Sequence, residues 1–81
     1  VAVPAGNADN VANNVRAVRI EKGYTQEALA ARVGLTRQSV IAIEKGRFTP
    51  SIQTVLLLAA ALETAVDELF WLTDHNLEDG K

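Results

Sequence analysis

The chain has 81 residues, 48% hydrophobic and 22% charged, a composition that fits one globular domain and excludes both a disordered polymer and a two-domain protein. It contains no cysteine, which removes disulfides, thiolate metal sites and cysteine nucleophiles and fits a reducing, cytoplasmic setting. The net charge of −2 is uneven: residues 11–50 carry seven cations against three anions, whereas residues 51–81 carry six anions against Lys81, a polarity that points either to a polyanion-facing surface or to a solvated charge pattern.

Residues 1–10 have neither a basic leader nor a long apolar run and read as a flexible arm rather than a signal peptide. Val11, Val15 and Val18 share one face at helical spacing and predict a first helix that stops at Gly23. Thr25 is the expected cap of a second helix running to about Arg32, with Leu29, Ala30 and Val33 inward. After the turn Val33-Gly34-Leu35, Thr36 caps a third helix from Arg37 to Lys45, with Val40 and Ile43 inward and Gly46 as the stop. Ser51 caps a fourth helix whose inner face is Ile52, Val55, Ala59 and Leu62, with Leu58 filling in. A last short helix is expected from Val66 to about Leu72, and an acidic tail over residues 73–81. Nothing alternates with period two, so no strand is expected. The apolar stretch 55–62 is far shorter than the ~20 residues that span a bilayer, so no membrane partner is expected either.

Two short helices joined by a glycine-containing turn form a helix-turn-helix, whose second helix enters the major groove of DNA. The wider pattern is more specific. Val15-Arg-Ala-Val-Arg-Ile-Glu-Lys-Gly-Tyr-Thr-Gln-Glu-Ala-Leu-Ala, Val33-Gly-Leu-Thr-Arg-Gln-Ser-Val-Ile-Ala-Ile-Glu-Lys-Gly-Arg, Pro50-Ser and Val66-Asp-Glu-Leu-Phe closely resemble the lambda-repressor-like, Cro/C1-type (XRE-like) helix-turn-helix family over residues 13 to 72. The resemblance implies an all-α, compact five-helix DNA-binding domain. It also implies a sequence-specific regulator that binds double-stranded DNA as a homodimer on a two-fold operator, in the cytoplasm at the nucleoid.

By position, the resemblance gives Gln26, with Thr25 assisting, a phosphate contact at the start of the second helix; for Thr25 the other reading is a cap alone. Arg37, Gln38 and Ile41 share the outward face of the third helix. Arginine pairs with guanine O6 and N7, glutamine with adenine N6 and N7, and isoleucine meets a thymine methyl. Arg37 as a phosphate clamp and Ile41 as an incidental exposed residue are the alternatives. Ser39 either reads a base or completes the first helical turn. Ala42 stands where relatives often carry a larger polar residue. Arg47, Lys45, Phe48 and Arg16 reach the phosphate backbone or are simply solvated. Arg19 and Glu44 are expected to form a partly buried structural ion pair.

Val66, Leu69, Phe70 and Trp71, with Leu72, exceed what one short helix can bury and are the expected dimer interface, Trp71 covering the monomer core instead in the other reading. Two residues depart from the family pattern: Glu63 replaces a glycine after the fourth helix and Ala65 replaces a capping serine. Catalytic residues, metal ligands and cofactors are not expected, because the sole histidine, His75, lies in the acidic tail and the glycines lack phosphate-loop spacing. The rival reading is an antitoxin-like module whose partner is a protein.

Overall fold

Residues 11–73 are described in the computed structural model of the chain; the expected arm, and His75 with the rest of the acidic tail after Thr73, lie outside them. The order is β1 (Val11–Asn13), α1 (Val15–Glu21), α2 (Gln26–Val33), α3 (Arg37–Glu44), α4 (Ile52–Leu62), α5 (Val66–Leu69) and β2 (Phe70–Leu72). Three helices start on hydroxyl caps: Thr25 Oγ1 accepts from the Ala28 amide at 3.0 Å, Thr36 Oγ1 from Ser39 at 3.1 Å, and Ser51 Oγ from Thr54 at 3.2 Å. Each such cap contributes roughly 1 kcal/mol. Gly34 closes α2 in the left-handed conformation (φ 75°) that the tight turn into α3 requires.

The helices pack around Val15, Leu29, Val40, Ile43, Leu58, Leu62 and Leu69, all essentially excluded from solvent. Completely burying a leucine, isoleucine or valine side chain contributes ~1.5–3 kcal/mol, so this cluster dominates the stability of a small domain. Every one of the five helices except α5 supplies at least one side chain from a repeating helical stripe; α5, a single turn, supplies Leu69.

Four expectations are corrected. The five helices form in the expected order, but the expectation of no strand fails, since β1 and β2 pair antiparallel with Val11 opposite Leu72, Ala12 opposite Trp71 and Asn13 opposite Phe70. Val11 therefore belongs to a strand and not to the first helix. Its spacing to Val15 suits a helix, but the Asn13 side chain accepts from the Val15 amide at 3.0 Å and starts the helix there. The fifth helix ends at Leu69 and not at about Leu72, because Phe70 turns to extended backbone (φ −135°, ψ 140°) to pair with Asn13, a conformation that suits an aromatic residue. Ile52 is 71% exposed and not part of the core. The buried stripe of α4 begins one turn later, at Val55, and continues through Leu58, Ala59 and Leu62.

The corner between α4 and α5 shows what the two departures from the family pattern do. Glu63 adopts the left-handed conformation (φ 53°, ψ 44°) without being glycine, and no side chain caps α5 at Ala65. The Glu63 carboxylate, 80% exposed, lies 3.9 Å from Lys22 Nζ, a contact that solvent renders nearly neutral. Left-handed backbone costs a side-chain-bearing residue roughly 1–2 kcal/mol. Glu63→Gly is therefore expected to stabilise the fold by about 1 kcal/mol, raising the melting temperature by roughly 5 °C. An unchanged or lower melt in a thermal scan would show that the strain is not there to relieve.

Candidate nucleic-acid interface

The surface of interest is built on α3 and the first turn of α2. Arg37 and Gln38 stand exposed at the start of α3, beside the Thr36 cap. Ser39 is half-buried and accepts a hydrogen bond from the Thr36 hydroxyl at 3.0 Å, so its oxygen already serves the first turn. One turn on, Ile41 is half-buried rather than on a fully wet face, and Ala42 is half-buried beside it. Lys45 and Arg47 are exposed beyond the far end of the helix, and Phe48 is 44% exposed. An eight-residue helix is ~12 Å long, so Arg37 and Gln38 stand at one end of α3 and Lys45 and Arg47 at the other.

What fixes α3 is the network around Glu44 in its last turn. Arg19 Nε of α1 donates to Glu44 Oε2 at 2.6 Å, with the two side chains only 10% and 3% exposed. The same guanidinium donates through Nη1 to the Tyr24 carbonyl at 2.7 Å, holding the loop between α1 and α2. Gln26 Nε2, from the first residue of α2, donates to the other carboxylate oxygen, Oε1, at 3.1 Å. Facing a carboxylate, the amide nitrogen is the end of the glutamine that fits. Glu44 thus ties the ends of three helices together, and Gln26 is oriented with one N–H still available.

Thr25 is exposed, and its cap uses only an acceptor lone pair. The hydroxyl hydrogen stays available, so capping and donation to a phosphate are compatible. Arg16 is exposed on α1, three residues before Arg19 and apart from the Glu44 network.

The expected dimer residues separate. Leu69 is completely buried in the chain's own core and cannot meet a partner, while Phe70 is half-buried against that core. The physical reason is the turn from α5 into β2, which points Leu69 inward. Val66 is half-buried and also packs on the core. Trp71 and Leu72 remain 41% and 45% exposed on β2.

One residue that sequence reasoning missed is Asn13. Its Nδ2 donates to the Ile43 carbonyl at 2.9 Å while its Oδ1 accepts from Val15. The pair Asn13-Asn14 before an apolar helical run is a helix-start signal, but the bond to Ile43 spans thirty residues and leaves no local trace. On α4, Leu56 and Leu57 are 53% and 43% exposed. Among the described residues, no group of three histidine, cysteine, aspartate or glutamate side chains converges to hold a metal, and no helix is long and apolar enough to cross a membrane.

Residues 15–69 match a protein-family model described as helix-turn-helix. The chain is 42% identical over 64 residues to YgzD of Bacillus subtilis, an uncharacterized HTH-type transcriptional regulator, covering 79% of this chain and 97% of that one. Among solved structures it is similar to the restriction-modification controller protein C.AhdI from Aeromonas hydrophila, with 39% identity and a TM-score of 0.63 over 67% of this chain and 82% of that one. It is also similar to the N-terminal DNA binding domain of SinR from Bacillus subtilis, with 32% identity and a TM-score of 0.60 over 64% and 77% of the two chains.

Proposed function

The chain belongs to the lambda-repressor-like, Cro/C1-type helix-turn-helix family of transcriptional regulators, which are not enzymes, and from that premise we propose that it binds a two-fold operator in duplex DNA as a homodimer, with α3 in the major groove. The observation that carries this reading is the pinned recognition helix. Arg37 and Gln38 are exposed at one end of α3, and the buried Arg19–Glu44 pair fixes the other end. A helix held in this way presents its exposed side chains to base edges without losing register.

In this reading Arg37 and Gln38 read bases, Ile41 lends an apolar contact to a thymine methyl, and Ser39 contributes from the edge of the first turn. Thr25 and Gln26 donate to a phosphate at the N-terminus of α2, where the helix dipole favours an anion. Arg47, Lys45 and Arg16 add charge along the backbone. The two copies meet through the exposed Trp71 and Leu72 of β2, with Val66 at the margin. Large apolar groups on an exposed strand are a natural contact for a second chain.

A second reading, a protein-binding module of the antitoxin kind, draws on a different surface. An open groove of about 660 Å³ between α2 and α4 is lined by Tyr24, Ala28, Arg32, Leu57 and Ala61. Its lining combines apolar side chains with Tyr24 and Arg32, a mixture that a protein segment can match.

The phosphate part of the proposal is tested by titrating a fluorescent duplex with wild type and Arg47→Ala over a range of salt. Removal of one phosphate contact is expected to weaken binding by a similar factor on every sequence and to lower the slope of log K against log salt by about 1. An unchanged slope would place Arg47 away from the backbone.

A further inference from the structure

The two-stranded ribbon lies outside the segment that matches the family, one strand before it and one after it. It joins the two ends of the helical core, and it carries Trp71 and Leu72, both exposed apolar groups. Strands this short have little stability alone. The ribbon is anchored to the helices by the Asn14 amide, which donates to the Leu69 carbonyl at 2.9 Å, and by the side chain of Asn13.

Asn13 makes an unusual connection. Its Oδ1 takes the Val15 amide at the start of α1, and its Nδ2 donates to the Ile43 carbonyl in the last turn of α3. The last carbonyls of a helix have no partner within it. The Ile43 oxygen accepts from the Gly46 amide at 3.0 Å, and its second lone pair takes the Asn13 amide. The next residue in that turn is Glu44, which Arg19 and Gln26 hold from the other helices. The end of the recognition helix is therefore fixed both to the helical core and to the ribbon.

We propose that Asn13 is a positioning residue that sets the placement of α3 relative to the ribbon through its bond to the Ile43 carbonyl, and thereby sets the spacing of DNA half-sites that two copies accept. The proposal rests on the two-fold reading above, in which the ribbon faces the second copy. Half-site spacing on DNA follows from the distance and angle between the two recognition helices. A side chain that ties the dimer-forming ribbon to the end of that helix controls both, without touching a base.

The test uses the full chain and three duplexes: a selected two-fold site, the same site with one base pair inserted between its halves, and a single half-site. The variant is Asn13→Asp. Aspartate keeps an oxygen for the Val15 amide but replaces the donor facing the Ile43 carbonyl with an acceptor, so the bond at the start of α1 survives and the bond to α3 does not. Wild type is expected to prefer the correct spacing over the insertion by about tenfold. Asn13→Asp is expected to lose most of that preference while its affinity for the single half-site stays within about twofold.

Retained spacing preference in the folded variant would overturn the proposal. So would a loss of half-site affinity as large as the loss on the full site, which would mark Asn13 as a general structural residue. A wild type indifferent to the insertion would overturn the two-fold reading, and this proposal with it. If Asn13→Asp does not fold, Asn13→Ser replaces it; the serine oxygen serves the Val15 amide but is too short to reach Ile43.

Discussion

Glu44→Ala is expected to lower the stability of the fold by about 3 kcal/mol or more, and the melting temperature by well over 10 °C. The reason is what the substitution leaves behind. Arg19 is 8% exposed, and with the carboxylate gone its guanidinium keeps only the Tyr24 carbonyl as a described partner. A charge that cannot reach water and has lost its counter-charge is far more costly than the loss of an exposed pair. Gln26 Nε2 loses its acceptor as well, so three helix ends loosen together.

A double substitution separates the pair from its orphaned halves. Arg19→Met with Glu44→Leu removes both charges, and buried pairs replaced by apolar residues of similar volume often lose little stability. The double variant is thus expected to melt above Glu44→Ala, in a cycle read by thermal unfolding. A Glu44→Ala melt equal to wild type would mean that the network does not hold α3.

The legible part of the fold was the part written in local chemistry. Thr25, Thr36 and Ser51 announce helix starts because a hydroxyl at a cap satisfies an amide three residues on. Leu29, Val40 and Leu62 fall on helical periods and are buried as those periods require. The ribbon left no such trace. Three-residue strands are too short to show alternation, and Val11 and Leu72 pair across the whole length of the domain. The burial of Leu69 is hidden for the same reason, because the aromatic and leucine cluster at residues 69–72 reads as one helical face until the backbone extends at Phe70.

In the candidate site, residue type and helical position identify Arg37 and Gln38 as exposed on α3, but neither that Ile41 is half-buried nor what holds the helix. The Arg19–Glu44 contact joins residues 25 apart and is visible in the sequence only through the family resemblance. The Gln26 and Asn13 bonds depend on where helix ends meet in space, which periodicity does not encode. Glu63 was the opposite case: the missing glycine is plain in the sequence, and the backbone takes the left-handed turn regardless.

The second large effect concerns recognition. Arg37 is exposed at the first turn of α3, where the side chains of a helix entering the major groove meet base edges. Its planar fork matches guanine O6 and N7, and a contact of this kind is worth about 1–3 kcal/mol of discrimination. Arg37→Ala is expected to weaken binding to the preferred site by roughly 5- to 150-fold. The loss should be smaller on sequences that already lack the preferred base. A plain phosphate clamp behaves differently, since its loss weakens all sequences alike. The melting temperature should barely change, because the side chain lies on the surface.

The most direct measurement is selection from a random duplex library, run in parallel with wild type and Arg37→Ala, followed by determination of the binding stoichiometry on the enriched site. The expected result is a two-fold symmetric site occupied by two copies, with one base position in each half-site losing its preference in the Arg37→Ala selection. A folded wild type that enriches no sequence would overturn the two-fold operator reading, and would move the search for a partner to the open groove between α2 and α4.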